Sequence, residues 1–212
     1  MSPSSTPLNR SNANDFRSLV INRADNLARM GEDAISGLID LTSQRLVRFA
    51  TSITRNQHDA EDAVQAAMIQ IARQPALLSC CEDPWGYLLR MVRNESLVIG
   101  RRKRPWRLID GICDLLVQRR VDELEREEQF REVWIALRRL PTQQSEVVVL
   151  KIWEELTFAE IATVLDLSPS TAASRYRYAM KKLAVLLQSA EGDSASSMVK
   201  QPLHASEAPH GY

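Results

Sequence analysis

Residues 157–183 read TFAEIATVLDLSPSTAASRYRYAMKKL, and this stretch decides the fold of the C-terminal part of the chain. Thr157 stands three residues before Glu160, the spacing of a capping box that satisfies free N–H groups at a helix start. Ser168 precedes Pro169, so a capping residue is followed by a proline at the first helical position. The stretch therefore predicts a short helix, a tight turn and a long helix, which is the layout of a helix-turn-helix.

The side chains between these signals fit the close crossing of two helices. Asp166 occupies the predicted turn, and aspartate tolerates the left-handed backbone conformation at modest cost. Ala162 lies midway through the first helix, and Ala172 and Ala179 allow the second helix to approach it closely. The buried face is expected to consist of Ile161, Val164, Leu165 and Leu167.

The second helix of this pair is basic. Residues 167–190 contain four basic side chains and no acidic one, with hydroxyl groups interleaved. In a major groove, arginine reaches guanine edges, whereas lysine and hydroxyl groups hold phosphates. The pattern favours a helix that reads duplex DNA, and a helical hairpin with a merely solvated basic face stays open as the alternative. The candidate DNA-binding residues are Thr171, Ser174, Arg175, Arg177, Tyr178, Lys181 and Lys182.

Helical periodicity extends over most of the chain. Apolar side chains recur at three- and four-residue steps over residues 35–53 and 63–71, and Pro75 and Pro141 end helical runs. No strand-like alternation competes, so we predict an all-α fold of two small helical domains joined by a flexible linker. The predicted division is a partly disordered N-terminal extension at 1–30 (with 1–14 disordered), helical domains at 31–104 and 123–189, a linker at 105–122 and a disordered tail at 190–212.

A second set of motifs lies in the first predicted domain. Residues 59–65, DAEDAVQ, open a helix with three acidic side chains, which the positive end of the helix dipole favours. Residues 85–94, WGYLLRMVRN, lead into the basic tetrad RRKR at 101–104. In this order, and followed by residues 157–183, these motifs resemble bacterial sigma factors of the extracytoplasmic-function (ECF) group. The resemblance covers about residues 33–187 and implies a transcription initiation factor that keeps regions 2 and 4 of larger sigma factors.

The resemblance also implies partners. Core RNA polymerase would be bound through its β′ clamp helices and β flap, promoter DNA through its −10 and −35 elements, and an anti-sigma factor is a further kind of partner in this family. The −35 element would be read by the basic helix described above, and the loop at 77–84 would capture an unpaired base of the −10 element. The helix facing the clamp helices would carry Asp59, Glu61, Asp62, Gln65 and Met68.

Promoter opening requires binding of unstacked bases rather than covalent chemistry. Aromatic faces beside a basic track bind single strands, and stacking is worth roughly 1–3 kcal/mol per base. Trp85 and Tyr87 are the aromatic residues available here, and core packing is the alternative role for each. The resemblance places Arg90, Arg93 and Asn94 against the separated strand and the basic tetrad against phosphates. The candidate −10 residues are Trp85, Tyr87, Arg90, Arg93, Asn94, Arg101, Arg102, Lys103 and Arg104.

The overall charge alone argues against a nucleic-acid partner, because the 212 residues contain 27 Lys+Arg and 27 Asp+Glu. The charges are arranged in blocks, however, of about −4 at 31–83, +6 at 84–120, −6 at 121–166 and +4 at 167–190. Since the Debye length is about 8 Å at physiological salt, such blocks act locally. The two positive blocks coincide with the two predicted DNA surfaces.

Other function classes find little support in the sequence. It contains no phosphate-cradling glycine loop, metal-ligand spacing or nucleophile motif, so we expect no enzyme activity, catalytic residue, cofactor or bound metal. The three cysteines are expected to be reduced thiols. No signal peptide or run of about 18 apolar residues occurs, which predicts a cytoplasmic protein without membrane insertion. A stand-alone helix-turn-helix regulator that binds duplex DNA unaided, as a dimer, stays open as the alternative.

Overall fold

The structure, a computed structural model, describes the backbone of residues 8–107 and 128–197 and the side chains of residues 14–31, 34–102 and 132–188. Within these ranges the regular structure is entirely helical, as the sequence predicts. A single 3₁₀ turn, Gly31–Ala34, follows the first helix. The α-helices are α1 Leu8–Met30, α2 Ile35–Thr54, α3 Gln57–Arg73, α4 Ala76–Ser79, α5 Pro84–Arg107, α6 Glu128–Arg138, α7 Thr142–Ile152, α8 Phe158–Leu165 and α9 Pro169–Ser197.

The first domain is built around α2, α3 and α5, which pack against one another. The chain reverses between α2 and α3 because Arg55 adopts a left-handed conformation, with φ of 60°. The side chain of Asn56 then caps α3 by accepting a hydrogen bond from the Asp59 backbone N–H at 3.0 Å. The core these helices enclose consists of Leu38, Leu46, Phe49, Ala60, Ala67, Ile71, Leu88, Leu89 and Val92.

The second domain contains the predicted helix-turn-helix, which the structure confirms in detail. Thr157 and Glu160 form the capping box at the start of α8, and Asp166 ends that helix in the left-handed conformation with φ of 56°. Ala172 and Ala179 are fully buried, so α9 approaches its neighbours closely. The core of the domain consists of Trp134, Leu137, Leu140, Val147, Val149, Leu150, Ile161, Val164, Leu165 and Leu183.

Three segments are more helical than the sequence predicts. Residues 8–14, predicted to be disordered, belong to α1, whose apolar face packs on α2, α4 and α5. Helix α5 continues through Pro105 to Arg107, since proline removes one backbone hydrogen bond but keeps a helical φ. Residues 190–197, predicted as tail, extend α9, because each residue added to an existing helix gains a hydrogen bond. Most of the predicted linker lies outside the described residues.

The two domains lie against each other. Helix α7 packs on α2, and α8 packs on α5. The guanidinium of Arg55, just after α2, donates to the carbonyl of Leu140 at 2.7 Å. The basic helix α5 therefore lies next to the helix-turn-helix.

Candidate nucleic-acid interface

Helix α9 presents the residues predicted to contact a −35 element. Ser168 caps this helix by accepting a hydrogen bond from the Thr171 backbone N–H at 3.1 Å. The guanidinium of Arg177 lies 5.8 Å from the centre of the Tyr178 ring, and Tyr178 is 56% exposed. The other predicted residues are divided between exposed and half-buried positions. Thr171, Arg177, Lys181 and Lys182 are exposed, whereas Ser174 and Arg175 are half-buried.

Helix α5 carries the second basic surface. The Asp83 carboxylate accepts a hydrogen bond from the Gly86 backbone N–H at 3.1 Å and thereby caps this helix. A Cβ atom at Gly86 would lie 2.3 Å from the other Asp83 carboxylate oxygen, so a larger residue here would push that carboxylate out of the cap. Arg90, Asn94, Arg101 and Arg102 are exposed and Arg93 is half-buried. The side chains of Lys103 and Arg104 lie outside the described residues.

In this structure Trp85 has the core-packing role that the sequence left open as the alternative to binding an unpaired base. Its side chain is 1% exposed. The Phe16 ring meets it edge-on, with 4.9 Å between ring centres and an angle of 85° between the planes. The Arg45 guanidinium lies 3.9 Å from the centre of the Phe16 ring. Trp85 is a core residue because α1, which the sequence left without a role, covers it.

Tyr87, unlike Trp85, is accessible to solvent. It is half-buried and lines an apolar cavity of about 460 Å³ between the end of α3 and α4. The cavity is shallow and open to solvent, and most of its lining is apolar. The cavity is lined by Gln74, Pro75, Ala76, Leu77, Cys80 and Tyr87.

The residues predicted to face the polymerase do not share one surface. Met68 is buried in the core of the first domain, and Asp59 is buried in the first turn of α3, so neither is a surface contact in this structure. Met68 lies four residues after Val64 and three before Ile71, and Asp59 lies four residues before Ala63, so both continue the buried stripe of α3. Glu61 is half-buried and accepts a hydrogen bond from the Gln57 amide at 2.9 Å. Asp62 and Gln65 are exposed.

The predicted DNA-contacting arginines of the two domains converge on one carboxylate that the sequence did not single out. Arg93 Nε donates to Glu146 Oε2 at 2.9 Å, and Arg175 Nη1 lies 3.9 Å from Glu146 Oε1. The Glu146 side chain is 2% exposed. A buried carboxylate is strongly destabilised unless it is paired, so these two arginines neutralise a charge in the seam between the domains.

A second buried acid lies in the same seam. Arg45 Nε of α2 is 3.0 Å from Glu154 Oε2, and Arg45 also donates to the Trp153 carbonyl at 3.2 Å. Burial raises the pKa of Glu154, against the opposing charges of Arg45 and Arg48. Glu146 directly precedes the buried apolar run at 147–150, and that position is the signal from which its burial could have been inferred.

A third ion pair joins α1 to the helix-turn-helix. Arg17 donates to Glu160, the same residue that completes the capping box with Thr157. Partial burial alone would raise the pKa of Glu160. The hydrogen bonds from Arg17 and from the backbone and hydroxyl of Thr157, together with the Arg17 charge, lower that pKa to about 2. The predicted capping residue is thus also a contact between the N-terminal extension and the second domain.

Within the described ranges, no cluster of histidine, cysteine and acidic side chains suits a metal ion. In the same part of the chain, no helix is long and apolar enough to cross a membrane. The accessible groups on α5 and α9 are basic, hydroxyl and aromatic side chains, which are suited to binding nucleic acid.

The fold and these surfaces define a two-domain helical protein with a helix-turn-helix in its second domain. Residues 38–105 match the family model of sigma-70 region 2, and residues 130–183 match that of sigma-70 region 4. The chain therefore belongs to the ECF group of the sigma-70 family, whose members direct RNA polymerase to promoters.

Individual relatives agree with this assignment. The ECF RNA polymerase sigma factor SigL of Mycobacterium tuberculosis is 26% identical over 154 residues, which cover 71% of this chain and 87% of SigL. SigM of the same organism is 29% identical, covering 68% of this chain and 72% of SigM. SigV of Bacillus subtilis is 25% identical, and the match covers 68% of this chain and 85% of SigV. The solved structure of CnrH in complex with the cytosolic domain of CnrY shares the fold, with a TM-score of 0.57, 23% identity and coverage of 81% of this chain and 98% of CnrH.

Proposed function

We propose that this sigma factor reads a −35 element with α9 and a −10 element with α5 and the adjoining loop, and that it assists promoter melting. The observation that carries the proposal is the pair of separate basic surfaces, one in each family-matched region. On α9, the exposed Arg177, Lys181 and Lys182 are joined by the hydroxyl of Thr171. These groups suit a major groove, where arginine reads base edges and lysine and hydroxyl groups hold phosphates.

For the −10 element, the proposal assigns base capture to the cavity beside Tyr87 rather than to Trp85. Its apolar lining, open to solvent beside the Tyr87 ring, suits the face of an unstacked base. Base stacking on an aromatic side chain is worth roughly 1–3 kcal/mol, comparable to the cost of unpairing. Arg90 and Asn94 are exposed on the same helix as Tyr87 and would meet the separated strand, and Arg101 and Arg102 are exposed and would meet phosphates.

The remaining partners follow from the family. Core RNA polymerase would contact α3 through Asp62 and Gln65, which are exposed, and through Glu61, and would contact the second domain through the β flap. The protein would act in the cytoplasm, where the polymerase meets DNA, by binding alone and without enzyme activity or a cofactor. CnrH is solved with a domain of a partner protein, and we propose that this chain likewise binds a partner, an anti-sigma factor.

Footprinting of a promoter from the source genome tests the proposal. With core polymerase present, we expect protection of both elements and permanganate-reactive, unpaired thymines near −10. The variant Tyr87→Ala should lose the unpaired thymines while keeping protection at −35. If the pure protein protects duplex DNA equally well without core polymerase, as paired half-sites, the stand-alone regulator describes it better.

A further inference from the structure

Two adjacent thiols lie at the end of the short helix α4, where the chain leads into α5. Cys80 is exposed and Cys81 is half-buried, and neither forms a disulfide. Backbone hydrogen bonds hold this turn, from the Cys80 N–H to the Ala76 carbonyl at 3.1 Å and from the Cys81 N–H to the Leu78 carbonyl at 3.3 Å. The proposed base capture uses this loop but assigns no part to either thiol.

The two thiols have different surroundings. Cys80 lines the apolar cavity beside Tyr87. The Cys81 thiol donates a hydrogen bond to the Leu77 carbonyl at 2.9 Å. Burial raises the pKa of the Cys81 thiol, and the charges of a Cys80 thiolate and of Asp83 raise it further. Because the thiolate is the reactive form of cysteine, Cys81 stays protonated at neutral pH and is slow to be oxidised.

Backbone geometry disfavours a disulfide between these neighbours. Disulfide-linked residues usually have Cα atoms about 4.4–6.8 Å apart, whereas the Cα atoms of neighbouring residues are only about 3.8 Å apart. A further atom between the two sulfurs lengthens the link and removes this restriction. The pair is therefore better suited to chelating one atom than to forming a bond within itself.

The number of ligands selects the atom that the pair can hold. Structural zinc takes four ligands in a tetrahedron, and among the described residues no third histidine, cysteine or acidic side chain joins the pair in a metal-binding cluster. Soft sulfur ligands favour soft, thiophilic centres. Trivalent arsenic forms three bonds in a pyramid, so two adjacent sulfurs and one hydroxyl complete its coordination.

We propose that Cys80 and Cys81 form a two-thiol site that binds a trivalent arsenical, and that the bound arsenic blocks the cavity beside Tyr87. In the binding step, arsenous acid, As(OH)₃, exchanges two of its hydroxyl groups for the two sulfurs. Two As–O bonds and two S–H bonds break, and two As–S bonds and two O–H bonds form as two water molecules leave. Arsenic stays trivalent and keeps its third hydroxyl, so the step needs no oxidant or reductant.

The blocking half of this inference rests on the proposed function, in which the cavity receives an unstacked base. Cys80 and Tyr87 line the same cavity, so arsenic on Cys80 takes up space beside the ring and adds a polar hydroxyl to an apolar wall. The binding half depends only on the two thiols. Unstacking of the −10 element should therefore be lost when arsenic binds, whereas recognition of the −35 element by α9 should be kept.

The first measurement is equilibrium dialysis of the full-length protein against arsenite in the presence of glutathione, a competing monothiol, with bound arsenic determined by mass spectrometry. We expect one arsenic atom per chain. Cys80→Ser and Cys81→Ser should each weaken binding by about 100-fold or more, because the second As–S bond of a chelate is intramolecular. Cys113→Ser is the matched control, since it removes the remaining thiol of the chain, and it should leave the affinity unchanged.

Each variant is compared with the parent by circular dichroism, so that a loss of binding is not a loss of folding. Undiminished binding by either test variant, in a folded protein, overturns the two-thiol site. Loss of binding in Cys113→Ser overturns it as well, because the chelate would then include a thiol outside the pair.

The second measurement is the fluorescence of 2-aminopurine placed in the −10 element, which rises when the base unstacks in the complex with holoenzyme. Each protein is compared with itself, with and without arsenite. In the parent, arsenite should abolish the rise and leave protection of the −35 element unchanged. In Cys81→Ser, which lacks the chelate, arsenite should have no effect. An equal effect of arsenite on the parent and on this variant would place its action on the polymerase and overturn blocking.

The failure of this inference and the failure of the proposed function are distinguishable. If arsenic binds the pair while the fluorescence still rises, blocking is overturned, and base capture at this cavity fails with it. If arsenic does not bind while Tyr87→Ala still loses the unpaired thymines near −10, the proposed function stands and the arsenic site fails.

Discussion

The Phe16 ring packs edge-on against Trp85 at 4.9 Å, joining a helix outside the sigma-70 regions to the core of the first domain. Edge-to-face pairs contribute about 0.5–1.5 kcal/mol beyond the apolar area they bury. Replacing Phe16 by alanine should therefore lower the free energy of unfolding by about 2 kcal/mol, measured by chemical denaturation. Leu19→Ala, on the same helix at a position 50% exposed, should change it by less than about 0.5 kcal/mol. Equal effects of the two variants would contradict the packing of Phe16.

The pKa of Glu160 reports the contact between α1 and α8. The carboxylate should titrate at about 2 by NMR rather than near its ordinary value of 4.5. Since the pKa is lowered by folding, its ionised form stabilises the folded state above pH 4.5, and this contribution is lost as the pH falls toward 2. In Arg17→Ala the pKa should rise part of the way to 4.5, because the hydrogen bonds from Thr157 remain. The same pKa in the variant would show that Arg17 does not bind Glu160 in solution.

The capping box contributes to the free energy of unfolding of the helix-turn-helix. Thr157→Ala removes the hydroxyl that accepts from the Glu160 backbone N–H and should cost about 1 kcal/mol in thermal or chemical unfolding. Thr163 supplies the control, since it is exposed and its hydroxyl donates a hydrogen bond to the Ala159 carbonyl within the same helix. Thr163→Ala should stay within about 0.5 kcal/mol of the parent. A loss at Thr163 as large as that at Thr157 would contradict the role of the cap.

Arg175→Ala should weaken recognition of the −35 element by the holoenzyme by about 1–3 kcal/mol if the side chain reads a base edge. The loss should then vanish on promoters altered at the base that Arg175 reads. An equal loss on all −35 sequences would instead mark a phosphate contact. Arg139→Ala removes an exposed arginine of the same domain that lies off α9 and should leave promoter affinity unchanged.

Local signals in the sequence predicted the helix-turn-helix well. The capping box, the left-handed Asp166 and the buried Ala172 and Ala179 depend on residues close together in the chain, so spacing alone specifies them. The all-α fold followed from periodicity in the same way. These features are encoded within one or two helical turns.

Contacts between distant segments were not predictable in this way. Trp85 was assigned to DNA although it is buried, because the helix that covers it begins some 70 residues earlier. The shared contact of Arg93 and Arg175 depends on Glu146, which lies in another part of the chain from either. Periodicity shows that α1 has an apolar face, but it cannot show which surface that face covers.

Run-off transcription with purified core polymerase tests the central claim most directly. On a promoter from the source genome, the full-length protein should produce a transcript that core polymerase alone does not. Substitutions in either the −35 or the −10 element should reduce that transcript, because each domain holds one element. Absence of any transcript from genomic promoters, combined with binding of duplex DNA by the protein alone, would contradict the account.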